Sequence, residues 1–195
     1  MNVIIKASNY NELMTKMKSE CEALGQYLVN HLMVVNDDKT QIMVFNPDKN
    51  KPTPSINING NIITHQPVVK ILGIQLTENL SMDTHIWSGK QNMLKAINTK
   101  IALLQTLKLF IPTCDLANIG SALINSVISY RAPIWGMTTK TNVDRIQKCQ
   151  TRAERVIATK GWQRGAIKEH RQDLLDKLGW QNVQQLVATS ILNLA

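Results

Sequence analysis

The chain has 195 residues, 44% apolar and 5% aromatic, with 22 Lys+Arg against 14 Asp+Glu and a net charge of +8. An apolar share near the globular average of about 45–50%, without a dominant block of like charge, excludes a disordered or fibrous chain and predicts one ordinary domain or two small ones. No apolar run approaches the ~20 residues that cross a bilayer, charges at Lys6, Glu12, Lys16, Lys18, Glu20 and Glu22 exclude a secretory leader, and Cys21, Cys114 and Cys149, never spaced CxxC, argue against a disulfide framework or a thiolate zinc site.

In chain order, Val3-Ile4-Ile5 predicts a strand over residues 3–7. Asn9 followed three residues later by Glu12 has the form of an N-cap with its N3 acid, and the helix it opens runs to about residue 31. Leu13, Met17, Cys21, Leu24 and Leu28 form one apolar stripe along that helix. Residues 33–35 and 41–45 are β-prone and flank the turn composition Asn36-Asp37-Asp38-Lys39. A polar loop follows at 47–54. Asn59-Gly60-Asn61 between Ile56-Asn57-Ile58 and Ile62-Ile63 predicts a hairpin, and residues 68–76 predict one last strand.

From Ser81 the period becomes helical. Met93, Leu94, Ile97, Ile101, Leu104 and Leu107 trace a helix that ends before Pro112. Thr113 is expected to cap a second, through Leu116, Ile119, Leu123 and Val127 to about Tyr130, with Pro133 and Gly136 closing it. A third covers roughly 141–159, and two shorter ones lie near 166–178 and 182–194. The expected fold is α+β: an αβ-mixed region over 1–80 and an all-helical region over 81–195.

The charge divides at the same place. Residues 1–80 carry seven Lys and seven acids, whereas 81–195 carry nine Lys and six Arg against seven acids. The whole excess of +8 therefore sits in the helical half, which points to a polyanionic partner. Along the third helix Arg145, Lys148, Arg152 and Arg155 recur at three, four and three, and Ile146, Cys149, Ala153 and Val156 repeat the spacing one residue later. A cationic stripe thus runs beside an apolar one; its bland counterpart is a solvated face.

Four segments resemble the reverse transcriptases of non-LTR, LINE-like retrotransposons. Residues 32–45, with Asn36-Asp37-Asp38-Lys39-Thr40 and Met43-Val44-Phe45, are similar to that family's L-x-x-N-x-x-K-T-x-x-M-x-F palm segment, and Val69-Lys70-Ile71-Leu72-Gly73-Ile74 to its V-K-x-L-G-I primer grip. Leu80-Ser81 with His85-Ile86 is like the opening of its long helix. Tyr130-Arg131-Ala132-Pro133-Ile134-Trp135-Gly136, followed by Gln150-Thr151-Arg152-Ala153, is like its Y-x-x-P-x-W and Q-x-R-A segments. The resemblance implies a palm remnant with a primer-grip hairpin, then a helical thumb and connecting region. It also implies that the chain begins just after the Y-x-D-D turn, whose aspartates hold Mg²⁺ in the full-length family, so that no catalytic or metal-ligating residue and no cofactor is expected here. Expected partners are an RNA/DNA primer-template duplex and the missing palm and fingers, with no membrane.

Asp37-Asp38 could be taken for a metal pair, since two-metal catalysis needs carboxylates within reach of two ions about 4 Å apart, but between Asn36 and Lys39 they fit a polar turn. Lys39, by the resemblance, corresponds to a lysine that protonates the leaving pyrophosphate; alone it is a solvated turn lysine. Leu72, Gly73 and Ile74 correspond to the turn that holds a primer end; their structural alternative is a strand with a glycine bulge. His31, His65, His85 and His170 lack ligand spacing. Trp162, between Lys160 and Arg164, could stack on a base or simply pack. The expected function is nucleic-acid holding within an RNA-directed DNA polymerase. The alternative is a host or co-opted basic helical module that binds nucleic acid or protein without catalysis.

Overall fold

A computed structural model describes residues 3–36, 39–47, 50–58, 60–158 and 171–193. The architecture is α+β, as the periodicities predict, and the chain divides into two compact units, Met1–Ser81 and Met82–Ala195.

In the first unit, helix α1 (Tyr10–Asn30) opens where Asn9 accepts the amide of Glu12. It ends in a Schellman motif: the Met33 amide donates to the Leu28 carbonyl and that of Leu32 to Val29. Leu32 therefore sits at φ 53°, in the left-handed region that glycine usually fills. The apolar stripe of α1 packs on a hairpin of strands β1 (Ser55–Ile58) and β2 (Asn61–Thr64), with Met17, Ile56, Ile58 and Ile63 at the centre of that small core. The register Ile58↔Asn61 leaves a two-residue turn, the form an Asn-Gly pair favours.

Residues 68–76 are not one strand. They form a second antiparallel hairpin, β3 (Val68–Ile71) and β4 (Ile74–Thr77), with register Ile71↔Ile74. Leu72 at φ 49° and Gly73 at φ 88° make its turn, since a two-residue link needs positive φ to match the twist of the strands it joins. The glycine is a turn residue, not a bulge.

Three other strand expectations fail. Residues 3–7 and 33–35 form no strand, and residues 41–45 contribute only an isolated parallel bridge from Ile42 to His65. β-propensity measures fit to a paired, half-buried surface, and these β-branched residues have no neighbouring strand among those described. Segment 42–46 is instead pinned by side chain and backbone. His65 Nδ1 accepts the Val44 amide at 3.1 Å while its Nε2 meets Glu78 Oε2 at 2.9 Å, and the Asn46 amide donates to the Glu78 carbonyl.

The second unit is helical. His85-Ile86 does not open a continuous helix: a π-helical turn (Thr84–Ser88) is broken at the extended Gly89, and α2 (Met93–Leu107) begins afresh under the side chain of Asn92. Next, Pro112, not Thr113, occupies the N-cap of α3 (Thr113–Gly120), with no side-chain cap. A π-helical stretch (Ser121–Asn125) leads into α4 (Ser126–Ser129). Pro133, expected to close that helix, lies instead in the first turn of a short one, α5 (Ala132–Trp135), where its missing amide costs nothing. The bend before it is made by Arg131 at φ 51° and held by the Trp135 indole, whose Nε1 donates to the Tyr130 carbonyl at 3.1 Å.

Helices α6 (Lys140–Ala158), α7 (Arg171–Leu178) and α8 (Val183–Leu192) complete the unit. The expected start of α7 near 166, like Trp162 and His170, lies outside the described residues. Ile97, Ile101, Leu104, Leu116, Ile124, Ile128, Trp135, Ile146 and Ile157 are all buried in one core. Polar side chains of α6 are buried too, among them Gln147 and Gln150. Gln147 donates to Gln150 and accepts the Val183 amide at 2.9 Å, while Gln150 donates to the Gln181 carbonyl at 2.8 Å. These bonds fix the N-terminus of α8 at no cost in unpaired polar groups.

Candidate nucleic-acid interface

Helices α2 and α6 lie side by side. Asn98 Oδ1 accepts from the Cys149 thiol and from Arg152, and Lys108, just past the end of α2, donates from Nζ to the Val156 carbonyl at 2.6 Å. Both contacts advance in the same chain direction, so the pair is parallel. Lys108 caps a carbonyl of the last turn of α6, where a cation is favoured; burial pulls its amine below the usual lysine range.

Of the predicted stripe, Lys148, Arg152 and Arg155 are exposed and Arg145 is half-buried. Ile146 and Ala153 beside them are fully buried, so the stripe is the solvent edge of the seam. Arg145 and Arg152 also have duties inside the protein. Arg152 bonds Asn98, and Arg145 donates to Asn142 Oδ1 at 3.1 Å while its guanidinium lies over the Trp87 ring, 4.2 Å from the centroid. A guanidinium has five donors, so one internal bond leaves others for a phosphate.

The structure adds residues that the α6 spacing could not reveal. Lys95 is exposed and lies three residues before Asn98, on the same face of α2. It therefore belongs to the edge that carries Lys148 and Arg152. Trp87, half-exposed on its π-helical turn, joins the same edge through Arg145. No local signal marks either residue, because the seam is formed by segments about fifty residues apart in sequence. The ten steps from Arg145 to Arg155 span about 15 Å of helix, the length of about four phosphates along one strand of a duplex.

In the first unit Lys39 is exposed, in a turn closed by Asn36, whose Oδ1 accepts the Lys39 amide at 3.1 Å. Leu72, 65% exposed, and Gly73 are the tip of the second hairpin, whereas Ile74 is 2% exposed and serves its packing. A hairpin tip can approach a sugar-phosphate; the Ile74 side chain cannot. Asp37 and Asp38 lie outside the described residues. Among the described residues, no group of three or more His, Cys, Asp and Glu could hold a metal ion. Burial pushes the thiols of Cys21 and Cys149 up, the latter against the pull of Arg152, so neither is an activated nucleophile. No described helix is long and apolar enough to cross a membrane.

No protein-family model matches the chain, and no solved structure does. Two curated proteins do. The RNA-directed DNA polymerase from mobile element jockey of Drosophila melanogaster is 24% identical over 190 residues, covering 94% of this chain and 20% of the relative; its counterpart in Drosophila funebris is 21% identical over 169 residues, covering 82% and 17%. The chain thus spans about a fifth of the length of the relatives it matches. The likeness is thus to retrotransposon reverse transcriptases, and among these to the polymerases of jockey elements.

Proposed function

We propose that this chain is a nucleic-acid-holding segment of a retrotransposon RNA-directed DNA polymerase. The Met82–Ala195 unit acts as a thumb whose α2–α6 edge meets the phosphates of an RNA/DNA primer-template duplex through Lys95, Lys148, Arg152 and Arg155, with Arg145 at one end. Met1–Ser81 is the rear of a palm, with Leu72-Gly73 as the tip that approaches the primer end and Lys39 in its turn nearby in the sequence pattern. The remaining palm and fingers are its protein partner. They supply the Mg²⁺-binding aspartates, and this chain by itself extends no primer. The observation that carries the proposal is the parallel α2–α6 seam, which assembles cations from two distant segments along one solvent edge.

One observation favours the co-opted or protein-binding alternative: Lys95, Arg145 and Arg152 already have partners within the fold. Amide hydrogen exchange on the whole chain, with and without an RNA/DNA primer-template, separates the two. Protection on α2 and α6 supports the proposed function. Protection confined elsewhere, or none at saturating nucleic acid, favours the alternative.

A further inference from the structure

Trp87 is 41% exposed, yet its position is fixed from both ends of the backbone. Its neighbours His85 and Ile86 are buried, and its own carbonyl accepts from Asn92 Nδ2 at 2.8 Å, the side chain that also caps α2. The guanidinium on its ring is fixed as well. Arg145 is bonded to Asn142, which is 1% exposed and donates to Asp83 Oδ1 at 2.7 Å and to Thr138 Oγ1 at 2.9 Å. An open indole held this rigidly presents apolar aromatic surface at little entropic cost on binding. Arg145, whose guanidinium lies on that ring, is three residues before Lys148 on α6, at one end of the cationic edge.

We propose that Trp87, backed by Arg145, is a base-stacking site that takes one unpaired nucleotide at the end of the duplex lying along α2 and α6. This rests on the nucleic-acid function above and adds to it the class of ligand. Within a duplex both faces of each base are covered by neighbours, so an indole can stack only on a terminal or unpaired base. Because every base has a π-face, such a platform selects single-stranded character over sequence. The guanidinium polarises the ring from one side and can also reach the phosphate that follows.

The test uses the whole chain, a blunt RNA/DNA duplex, and the same duplex with a short single-stranded extension carrying 2-aminopurine at the first unpaired position. Anisotropy is expected to show the extended duplex bound about tenfold more tightly than the blunt one, with quenching of the 2-aminopurine. Trp87→Ala should erase both effects, so that extended and blunt duplex bind alike, while Trp87→Phe, which keeps a ring, should retain most of the preference. Preference and quenching surviving in Trp87→Ala would overturn the site, as would an equal loss of blunt-duplex binding. Blunt binding by the wild type with no gain from the extension defeats only the stacking site. Failure to bind either duplex defeats the nucleic-acid function itself.

Discussion

The guanidinium of Arg145, on α6, lies 4.2 Å from the centroid of the Trp87 ring, on the π-helical turn before α2. This contact closes the end of the α2–α6 seam. Arg145→Met would lose a cation–π interaction of about 0.5–1 kcal/mol and leave the oxygen of the buried Asn142 without its donor, at about 1–3 kcal/mol. A loss of about 2 kcal/mol is expected in urea unfolding. A double-mutant cycle with Trp87→Ala should isolate a coupling of about 0.5–1 kcal/mol; additive effects would show that the stack contributes nothing.

Two glycines of the helical unit differ in what a methyl group would meet. At Gly136 an added Cβ comes within 2.5 Å of the Ala132 carbonyl, which belongs to the backbone, as well as of Val187 Cγ1. At Gly120 it meets Ile157 Cδ1 at 2.5 Å and the Trp180 ring, all side chain. A methyl can turn away, whereas α5 must deform. Thermal unfolding should show Gly136→Ala destabilised by about 2–3 kcal/mol and Gly120→Ala by about 1 kcal/mol, and the reverse order would contradict this packing.

His85 is buried on the π-helical turn, and desolvation pulls its imidazole below the ordinary value of 6.5. The unfolded chain then binds a proton at higher pH than the folded one. Stability is full above the unfolded value and falls as pH drops below it, until the folded imidazole also protonates. Urea midpoints taken downward from pH 7 should therefore decline, and His85→Gln should lessen the decline. An identical slope in wild type and variant would remove His85 as its source.

Periodicity made α1, α2 and α6 legible, because Met17, Ile97 and Ile146 each sit on a stripe that local spacing reveals. Asn59-Gly60 marked one hairpin for the same local reason. The second hairpin was hidden by Leu72, a residue that seldom takes positive φ, within an unbroken β-prone run. Residues 3–7 and 41–45 read as strands, but whether a β-branched run pairs depends on a neighbour that the run does not encode. The cationic edge was half legible. Arg145, Lys148, Arg152 and Arg155 share one helix and show their spacing, whereas Lys95, Asn98 and Trp87 join them only through the fold.

The central claim is that the α2–α6 edge meets phosphates, and the salt dependence of binding tests it most directly. Each phosphate contact on duplex DNA contributes about 0.9 to the slope of log K against log salt. Lys95, Lys148 and Arg155 are exposed, Lys95 donating from Nζ to the Lys90 carbonyl at 3.0 Å, so their joint reversal to Glu should lose no more than about 1 kcal/mol per site. With folding verified by circular dichroism melts, the triple variant should lose about 2.7 units of slope and bind all sequences more weakly alike. An unchanged slope in the folded variant would contradict the account.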